Sequence, residues 1–449
     1  MPLRKILIAN RGEIALRIIR TCKELGIQSI AVYSDADKEM PFVQEADYSF
    51  RIGEPPVNRS YLNMDAIIEI AVREKADAIH PGYGLLSENG EFARKAEAAG
   101  VAFIGPPASV ISSMGDKITA RNIMKEAGVP VVPGSGEGLS SWEEAAAAAE
   151  AIGYPVMLKA SGGGGGIGMI RCENEQALNQ HFESTKNRAK AYFGSDAVFI
   201  EKCIDEARHI EVQVFGDSRG HAVHLFERNC SVQRRNQKVM EEAPSPALSE
   251  QARNGLYQAA VAAAEAVGYK NAGTVEFIVD EKENFYFLEM NTRLQVEHPV
   301  TEAITGLDLV NWQIQIAQGS PIPIGQDNIT RNGHGVELRI YAEDPDTFLP
   351  SPGTIQTLRW GNVEGVRIDE GYAEGNAVTP FYDPMIAKCI IHADERGECL
   401  KRAKKFLKET VIEGIKTNIP ALLEVLENEE VVRGDYTTNV MAKRAKTNK

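Results

Sequence analysis

The sequence predicts a chain that begins as an α/β domain and ends as an α+β domain, and three observations support this. In the first part, short apolar strand patterns alternate with amphipathic helical patterns, which is typical of a parallel sheet covered on both faces. From Gly335 onward, strand and helix patterns are mixed. The length of 449 residues is too great for one ordinary core and suggests two or three domains.

The N-terminal region shows the clearest alternation of strand and helix. RKILIA at residues 4–9 is a strand pattern, a turn follows at Asn10 to Gly12, and the amphipathic helical pattern after it ends at Gly26. The strand patterns IQSIAVYS and ADAIHPGYG come next, and the second is followed by a glycine turn and the helical pattern NGEFARKAEAAG. We therefore expect a Rossmann-like α/β domain over residues 1–114.

A central domain is predicted for residues 115–334. Ser141 and Glu144 fit a capping box at the start of the helical pattern SWEEAAAAAEAIG. The strand pattern YPVMLKA leads into five consecutive glycines, Gly162–Gly166, and later TVEFIVD and NFYFLEMN flank a polar segment that indicates a hairpin. Residues 335–449, with strands around VELRIYAE and a helix over ERGECLKRAKKFLKETV, are predicted to form an α+β C-terminal domain.

The composition argues against several classes of protein. Lys and Arg number 49 against 63 Asp and Glu, and this net charge of −14 does not suit general nucleic-acid binding. The N-terminus lacks a secretory signal pattern, and no apolar stretch approaches the length that spans a bilayer. The six cysteines form no CxxC pair, so we expect reduced thiols in a cytoplasmic protein.

The glycine run is the first candidate site. Glycines let backbone N–H groups approach an anion closely, because no side chain intervenes, and Lys159 lies just upstream. A lysine beside such a loop suits a phosphate group. No GK[ST] follows, so the segment is not a Walker loop. A plain surface loop is the alternative, and phosphate contact is the favoured hypothesis.

The segment FLEMNTRLQVEH is the second candidate site. Side chains alternate along a strand, so Glu289 and Asn291 share one face, and Glu289 lies opposite Glu276 if the two strands of the predicted hairpin pair. Such hard oxygen ligands suit Mg²⁺. A solvated strand face is the alternative, but the apolar flanks argue against it, because buried carboxylates need a partner or a metal.

A third segment, ERNCSVQRRNQKVMEEAPSP, concentrates positive charge in an acidic chain. Its cations are Arg228, Arg234, Arg235 and Lys238. Guanidinium and ammonium groups at this density suit a pocket for small anions. An exposed basic loop is equally compatible with the pattern.

Together these motifs resemble the biotin carboxylase family of ATP-grasp enzymes over essentially the whole chain. ANRGEIALRIIR and HPGYGLLSEN are similar to the N-terminal domain of that family, and YPVMLKASGGGGGIGM and FLEMNTRLQVEHPVTE are similar to segments shared with carbamoyl-phosphate synthetases. ERNCSVQRRNQK and ELRIYAEDP narrow the resemblance to biotin-dependent carboxylases. The resemblance implies an ATP-grasp centre with a mobile glycine-rich lid at about residues 131–203.

The resemblance also implies which residues bind ATP and metal. The ATP phosphates would be bound by Lys117, Lys159, Gly165, Gly166 and His209. The adenine would lie at Glu201, Lys202 and Ile204, with the ribose near Gln233 and Asn236. Mg²⁺ or Mn²⁺, as two ions, would be held by Glu276, Glu289 and Asn291, and the first two would thereby contact ATP.

The remaining implied roles concern bicarbonate and biotin. Bicarbonate would be bound by Lys238, Arg293, Gln295 and Val296. Glu297 would be the general base, Arg339 would stabilise the enolate of biotin, and Tyr83 would lie nearby. The implied catalytic residues are thus Lys238, Arg293, Glu297 and Arg339.

The implied activity is ATP-dependent carboxylation of biotin by bicarbonate, through carboxyphosphate. No biotinylation motif is present, so a separate biotin carboxyl carrier protein and carboxyltransferase subunits are expected as partners, as in acetyl-CoA carboxylase and fatty acid synthesis. Family members are often homodimers. Pyruvate, another acyl-CoA or urea stay open as acceptors, and a different ATP-grasp ligase or a nucleotide-binding subunit without turnover is a weaker alternative. A dehydrogenase is disfavoured, because RGEIA is not GxGxxG.

Two positions depart from the family pattern. Ile167 follows the glycine run, where many members have Arg or Lys, so the lid would bring one cation fewer to the phosphates. Some urea carboxylases are similar at this point, which leaves the final acceptor open. Asn236 stands where a histidine is frequent.

Overall fold

The structure is a computed structural model that describes residues 2–135, 138–161, 169–194 and 196–447. In these ranges the chain forms a mixed α/β architecture around three sheets that line the site: a parallel sheet near the N-terminus, a small antiparallel sheet and a long antiparallel sheet. No helix within the described ranges is long and apolar enough to cross a membrane.

The N-terminal region is a parallel sheet in the order β3-β2-β1-β4-β5. Its strands are β1 (Lys5–Ile8), β2 (Gln28–Ser34), β3 (Tyr48–Gly53), β4 (Ala78–His80) and β5 (Ala102–Phe103). Its helices are α1 (Gly12–Glu24), α2 (Pro41–Glu45), α3 (Met64–Arg73), α4 (Gly90–Ala98) and α5 (Ala108–Gly115). Gly12 has a φ of 64°, which lets the chain turn sharply from β1 into α1. The predicted parallel α/β arrangement is confirmed.

A small antiparallel sheet follows, in the order β7-β6-β8. The elements of this region are α6 (Lys117–Glu126), α7 (Trp142–Ile152), β6 (Val156–Ala160), β7 (Met169–Cys172), α8 (Glu175–Phe193) and β8 (Val198–Lys202). The predicted capping box at α7 is confirmed, because Ser141 accepts from the backbone N–H of Glu144 and the Glu144 side chain reaches back. Helices α7 and α8 pack their apolar residues on the sheet.

The rest of the chain builds a long antiparallel sheet in the order β13-β12-β9-β10-β11-β14-β19-β17. Its first elements are β9 (Arg208–Gly216), β10 (Ala222–Arg234), β11 (Gln237–Ala243), α9 (Glu250–Ala266), β12 (Asn271–Val279), β13 (Phe285–Asn291), α10 (His298–Thr305) and α11 (Leu309–Ala317). The elements after them are β14 (His334–Tyr341), β15 (Gly353–Thr354), β16 (Thr357–Arg359), β17 (Val366–Glu370), β18 (Ala377–Val378), β19 (Met385–Ala393), α12 (Arg396–Glu409), β20 (Val411–Glu413), α13 (Ile419–Glu427), α14 (Glu429–Arg433) and α15 (Val440–Thr447).

The long sheet crosses the boundary predicted between residues 334 and 335. β11 pairs with β14, so strands from both sides of that boundary share one hydrogen-bonded ladder. One hydrophobic core also joins residues of α1, such as Ile14, to residues of β14 and β19, such as Val336 and Ile391. The division into domains at residues 114 and 334 therefore stays a prediction, because one sheet and one hydrophobic core extend across the second boundary.

Candidate active site

A cavity of about 1110 Å³ lies between the parallel sheet, the small sheet and the long sheet. It is lined by residues predicted from the sequence to bind ATP, metal, bicarbonate and biotin. They are Tyr83, Lys117, Lys159, Glu201, His209, Gln233, Asn236, Lys238, Glu276, Glu289, Asn291, Arg293, Gln295, Val296, Glu297 and Arg339. Residues scattered over more than 250 positions of the chain are thus brought together at one place.

The structure does not bring every predicted residue to the cavity. Lys202 and Ile204 are not among the described residues that line it. The Lys202 ammonium group instead donates to the carbonyl oxygens of Gly153, at 2.7 Å, and Tyr154, at 3.2 Å. Gly165 and Gly166, with the rest of the glycine run, lie outside the described residues.

Lys238 is the centre of the charged cluster at the cavity. Its Nζ lies 2.6 Å from Glu211 Oε2, 2.9 Å from Glu276 Oε1 and 2.6 Å from Glu297 Oε1. Burial would lower the pKa of Lys238, but these three carboxylates raise it well above its usual value. The ammonium group therefore stays charged and holds acidic residues of three different elements together.

Glu297 directly precedes α10, with 2% of its surface exposed. Arg339 Nη2 lies 2.9 Å from its Oε2, while Lys238 binds its Oε1. Burial would raise the pKa of Glu297, but the charges of Lys238, Arg339 and Arg228 hold it well below the usual range. The carboxylate is therefore ionised, as a general base must be before it accepts a proton.

Glu276 and Glu289 face each other across the β12–β13 hairpin, so the predicted pairing of the two strands is confirmed. Glu276 accepts from Asn291 Nδ2 and Gln295 Nε2, each at 2.8 Å, and its other oxygen lies 2.8 Å from His209 Nε2. Burial would raise the pKa of Glu276, but Lys238 and His209 hold it well below the usual range.

Glu289 is in a different electrostatic state. Burial, and then the negative charge of Glu276, raise the pKa of Glu289. Among the described residues, none donates a hydrogen bond to its carboxylate. The buried Glu276 carboxylate, the half-buried Glu289 carboxylate and the Asn291 amide thus converge, and a hard divalent cation fits this donor set.

A fully buried arginine supports the cluster from beneath. Arg228 donates to Glu211 Oε1 at 2.6 Å and to Gln295 Oε1 at 2.8 Å, and further to Gln213 and Thr301. The Gln295 side chain is thereby fixed between Arg228 and Glu276. The sequence singled out Arg228 for its charge, and the structure places that charge under the site rather than in the cavity.

The end of the cavity beside α6 and β6 is lined by several cations. Lys117 is the first residue of α6, and burial together with the charge of Lys159 lowers its pKa, against the opposing effect of Glu289. Gln233 Nε2 lies 2.8 Å from His209 Nδ1. Arg121, which the sequence reasoning missed, also lines the cavity and is ion-paired with Glu201.

Sequence reasoning missed two further residues, Glu88 in the N-terminal region and Lys388 in β19. Glu88 Oε2 accepts from Arg293 Nε at 2.8 Å, and Arg293 Nη2 donates to Asn291 Oδ1 at 2.9 Å. Arg293 lies two residues beyond the end of β13 at Asn291. Lys388, in the apolar run MIAKCIIHA of β19, donates to the Val296 carbonyl oxygen at 2.8 Å. A lysine inside an apolar strand pattern was the available signal for it.

Three family models match the chain. Residues 2–111 match the biotin carboxylase N-terminal domain, residues 116–324 match the ATP-binding domain of the carbamoyl-phosphate synthase L chain, and residues 337–443 match the biotin carboxylase C-terminal domain. The matches follow each other along almost the whole chain and agree with the resemblance found in the motifs.

Individual relatives agree with the family models. Biotin carboxylase 2 of Bacillus subtilis is 56% identical over 437 residues, which are 97% of this chain and 98% of that protein. A pyruvate carboxylase component of Methanothermobacter thermautotrophicus is 50% identical over 436 residues, 97% of this chain and 89% of that protein.

Among solved structures, the biotin carboxylase domain dimer of the 2-oxoglutarate carboxylase of Hydrogenobacter thermophilus superimposes with a TM-score of 0.96. It is 46% identical, the match covers 99% of this chain and 98% of that chain, and the structure contains MgADP, ADP and bicarbonate. With a matching family model over each region and relatives near half identity over its length, the chain belongs to the biotin carboxylase family of ATP-grasp enzymes and is a ligase-type carboxylase.

Proposed function

We propose that this protein uses MgATP and bicarbonate to carboxylate biotin on a carrier protein. The observation that carries the proposal is the position of Lys238 between Glu276 and Glu297. One cation joins a carboxylate suited to a metal–phosphate complex to a carboxylate suited to proton abstraction. An enzyme that makes carboxyphosphate needs both functions within one small site.

The nucleotide would lie along the cavity with its phosphates toward the metal ligands. Glu276, Glu289 and Asn291 would hold Mg²⁺, and the bound ion would offset negative charge on the phosphates. Lys117, Lys159 and His209 would contact the phosphates from the protein side, and Gln233 and Asn236 the ribose. Support comes from the cations that line this end of the cavity and from the MgADP in the 2-oxoglutarate carboxylase relative.

Bicarbonate would bind among Lys238, Arg293, Gln295 and the backbone of Val296. Glu297 takes the proton of bicarbonate as a bicarbonate oxygen attacks the γ-phosphorus of ATP, and the bond from that phosphorus to ADP breaks. The low pKa of Glu297 makes it a weak proton acceptor while Lys238 and Arg339 both bind it. We therefore expect the bound anions to draw these cations away from Glu297 and to raise its basicity before the transfer.

The carboxyphosphate formed in this way decomposes to CO₂ and phosphate. Phosphate then takes the proton of the ureido nitrogen of biotin, the nitrogen bonds to CO₂, and Arg339 stabilises the negative charge that develops on the ureido oxygen. Tyr83, at the same side of the cavity, would contact biotin. Buried walls around the reacting groups keep water from the intermediate.

The final acceptor and the partners are the finer part of the proposal. We keep acetyl-CoA as the acceptor, with a separate biotin carboxyl carrier protein and carboxyltransferase subunits as partners. Pyruvate and 2-oxoglutarate are the alternative acceptors, because two of the relatives are named as carboxylases of these compounds. We also expect a homodimer, as in the 2-oxoglutarate carboxylase relative. The six free cysteines agree with a reducing compartment such as the cytoplasm.

The test is bicarbonate-dependent ATP hydrolysis by the purified protein, with and without free biotin. We expect biotin to stimulate hydrolysis and Glu297→Ala to abolish it. Glu242→Gln is a matched control, because Glu242 is fully buried and ion-paired but does not line the cavity. ATP cleavage that is indifferent to both biotin and bicarbonate would point to a different ATP-grasp ligase. Transfer of labelled carboxylate to each acceptor, with carrier and carboxyltransferase added, distinguishes the acceptors.

A further inference from the structure

Arg121 on α6 and Lys159 on β6 share the carboxylate of Glu201 on β8. Arg121 Nη1 lies 2.8 Å from Glu201 Oε1, and Lys159 Nζ lies 2.5 Å from Glu201 Oε2. The exposed fractions of the side chains are 9% for Arg121, 9% for Glu201 and 12% for Lys159. All three residues line the main cavity.

The helix brings two cations to this end of the cavity. Lys117 and Arg121 are four residues apart on α6, so they lie on the same face, one turn apart, and both line the cavity. Lys159 and Glu201 belong to residues 131–203, the segment that is expected to form the lid. Lys117 and Arg121 precede that segment in the chain. The Arg121–Glu201 pair therefore connects α6 to the small sheet directly beside the proposed phosphate site.

The single carboxylate of Glu201 is paired with two cations, and this decides what Lys159 can do. An ammonium group 2.5 Å from a carboxylate is neutralised by it and is not available to a phosphate. If Lys159 turned to a phosphate in the absence of Arg121, a nearly buried carboxylate would lose its cation, which is strongly unfavourable. With Arg121 bound to the other oxygen, Glu201 keeps a partner when Lys159 leaves.

Building on the ATP site proposed above, we infer that Arg121 is a positioning residue that keeps Glu201 paired and so releases Lys159 to bind the nucleotide phosphates. In this role Arg121 acts through Glu201, to which its Nη1 is bound, rather than through a contact of its own with the phosphates. Its effect should therefore appear for ligands that carry phosphates and be absent for ligands that lack them.

The first experiment compares ADP with adenosine. In Arg121→Met, the affinity for ADP should fall by about tenfold, the loss of roughly one charge-assisted hydrogen bond, while the affinity for adenosine stays within about twofold of wild type. The KM for ATP should rise by a similar factor, with kcat changed much less. Arg121→Lys keeps a cation beside Glu201 and should recover most of the ADP affinity.

The second experiment removes the charge that Arg121 balances. In the double variant Arg121→Met/Glu201→Gln, no carboxylate holds Lys159, so the ratio of ADP to adenosine affinity should be higher than in Arg121→Met alone. The ratio is the readout because Glu201 is also expected near the adenine, which both ligands carry. Arg253→Met is the matched control, since Arg253 is ion-paired with buried Glu227 at 2.7 Å but does not line the cavity. This control should leave the ratio of ADP to adenosine affinity at its wild-type value.

Three outcomes would overturn the inference. ADP and adenosine could weaken equally in Arg121→Met, the double variant could show no higher ratio of ADP to adenosine affinity than the single one, or Arg253→Met could change that ratio as much as Arg121→Met. The binding measurements need no turnover, so they separate this inference from the proposed function. A wild-type protein that binds ADP more tightly than adenosine but shows no bicarbonate-dependent hydrolysis would contradict only the proposed function.

Discussion

Arg339 binds two buried carboxylates at once, Glu297 on one side and Glu241 on the other. Its Nη2 lies 2.9 Å from Glu297 Oε2 and forms a still closer ion pair with Glu241 Oε1. Glu241 is opposite Glu337 in the β11–β14 ladder, and burial raises the pKa of both carboxyl groups. The proposed base thus shares its arginine with a second acidic group, so the charge on Arg339 is balanced before any substrate binds.

Replacing Arg339 should change the pH dependence of the proposed base. Glu297 must be ionised to accept a proton, so activity is lost as the pH falls through its pKa, and Arg339 is one of the cations that hold that pKa low. In Arg339→Met this pKa rises, and the acid limb of the rate profile for bicarbonate-dependent ATP cleavage should move to higher pH. Carboxylation of biotin should fall by about 100-fold, since the stabilisation of the ureido oxygen is also lost.

The control for this prediction is Arg339→Lys, which keeps the charge. Its acid limb should lie closer to that of the wild type than the limb of Arg339→Met does. An acid limb that stays in place in Arg339→Met would mean that Glu297 is not the group whose ionisation limits the rate.

Glu289 should affect stability and metal binding in opposite directions. In the protein without metal, burial and then repulsion by Glu276 raise the pKa of Glu289. Glu289→Gln removes the repulsion and keeps the shape, so the melting temperature without metal should be equal or higher. The Mg²⁺ concentration for half-maximal activity should rise by about tenfold, because one anionic ligand is gone. A lower melting temperature with unchanged Mg²⁺ dependence would contradict the assigned role.

The hairpin that carries Glu276 and Glu289 could be predicted because its information is local. Strand alternation places Glu289 and Asn291 on one face, and a short polar turn between two strand patterns fixes their pairing. The capping box at Ser141 and the β1–α1 turn at Gly12 were predictable for the same reason.

The contacts that support the site could not be predicted, because they join residues far apart in the chain. Arg121 meets Glu201 across 80 positions, and Arg293 meets Glu88 across 205. No periodic pattern specifies such pairs. A weaker signal was present, however, since Lys388 interrupts a strand pattern that is otherwise largely apolar, and a charge in a buried strand needs a partner.

Glu242 should stabilise the fold without serving the reaction. It is fully buried and accepts from His334 Nε2 at 2.6 Å, from Arg396 Nε at 2.7 Å and from the Tyr436 hydroxyl at 2.5 Å. Burial would raise its pKa, but His334 and Arg396 hold it below the usual range. Its contribution to stability is therefore present at pH values above its unfolded pKa and is lost as the pH falls through the lower folded pKa.

Glu242→Gln should lower the free energy of unfolding by about 3 kcal/mol near neutral pH, since it leaves the largely buried Arg396 guanidinium without its carboxylate. The difference from wild type should shrink as the pH falls from the unfolded pKa of a glutamate, about 4.3, through the lower folded pKa, where the wild-type carboxylate also becomes protonated. Urea denaturation at a series of pH values measures this. A difference independent of pH would show that packing rather than charge accounts for the loss.

Lys388 should couple the stability of the interior to the position of the proposed base. Its ammonium group is fully buried, lies 3.1 Å from Glu13 Oε2 and donates to the carbonyl oxygen of Val296, the residue before Glu297. Glu13 in turn accepts from the Tyr83 hydroxyl. Lys388→Met should lower the free energy of unfolding by about 3–5 kcal/mol, because it leaves the Glu13 carboxylate buried without a cation.

The same variant should also lower kcat by at least about tenfold, because the backbone before Glu297 loses its anchor, while the KM for ATP changes little. The double variant Glu13→Gln/Lys388→Met separates the two effects. It removes the unpaired charge and should regain much of the lost stability, but it cannot restore the hydrogen bond to Val296, so kcat should stay low. Recovery of kcat together with stability would show that Lys388 is purely structural and does not position Glu297.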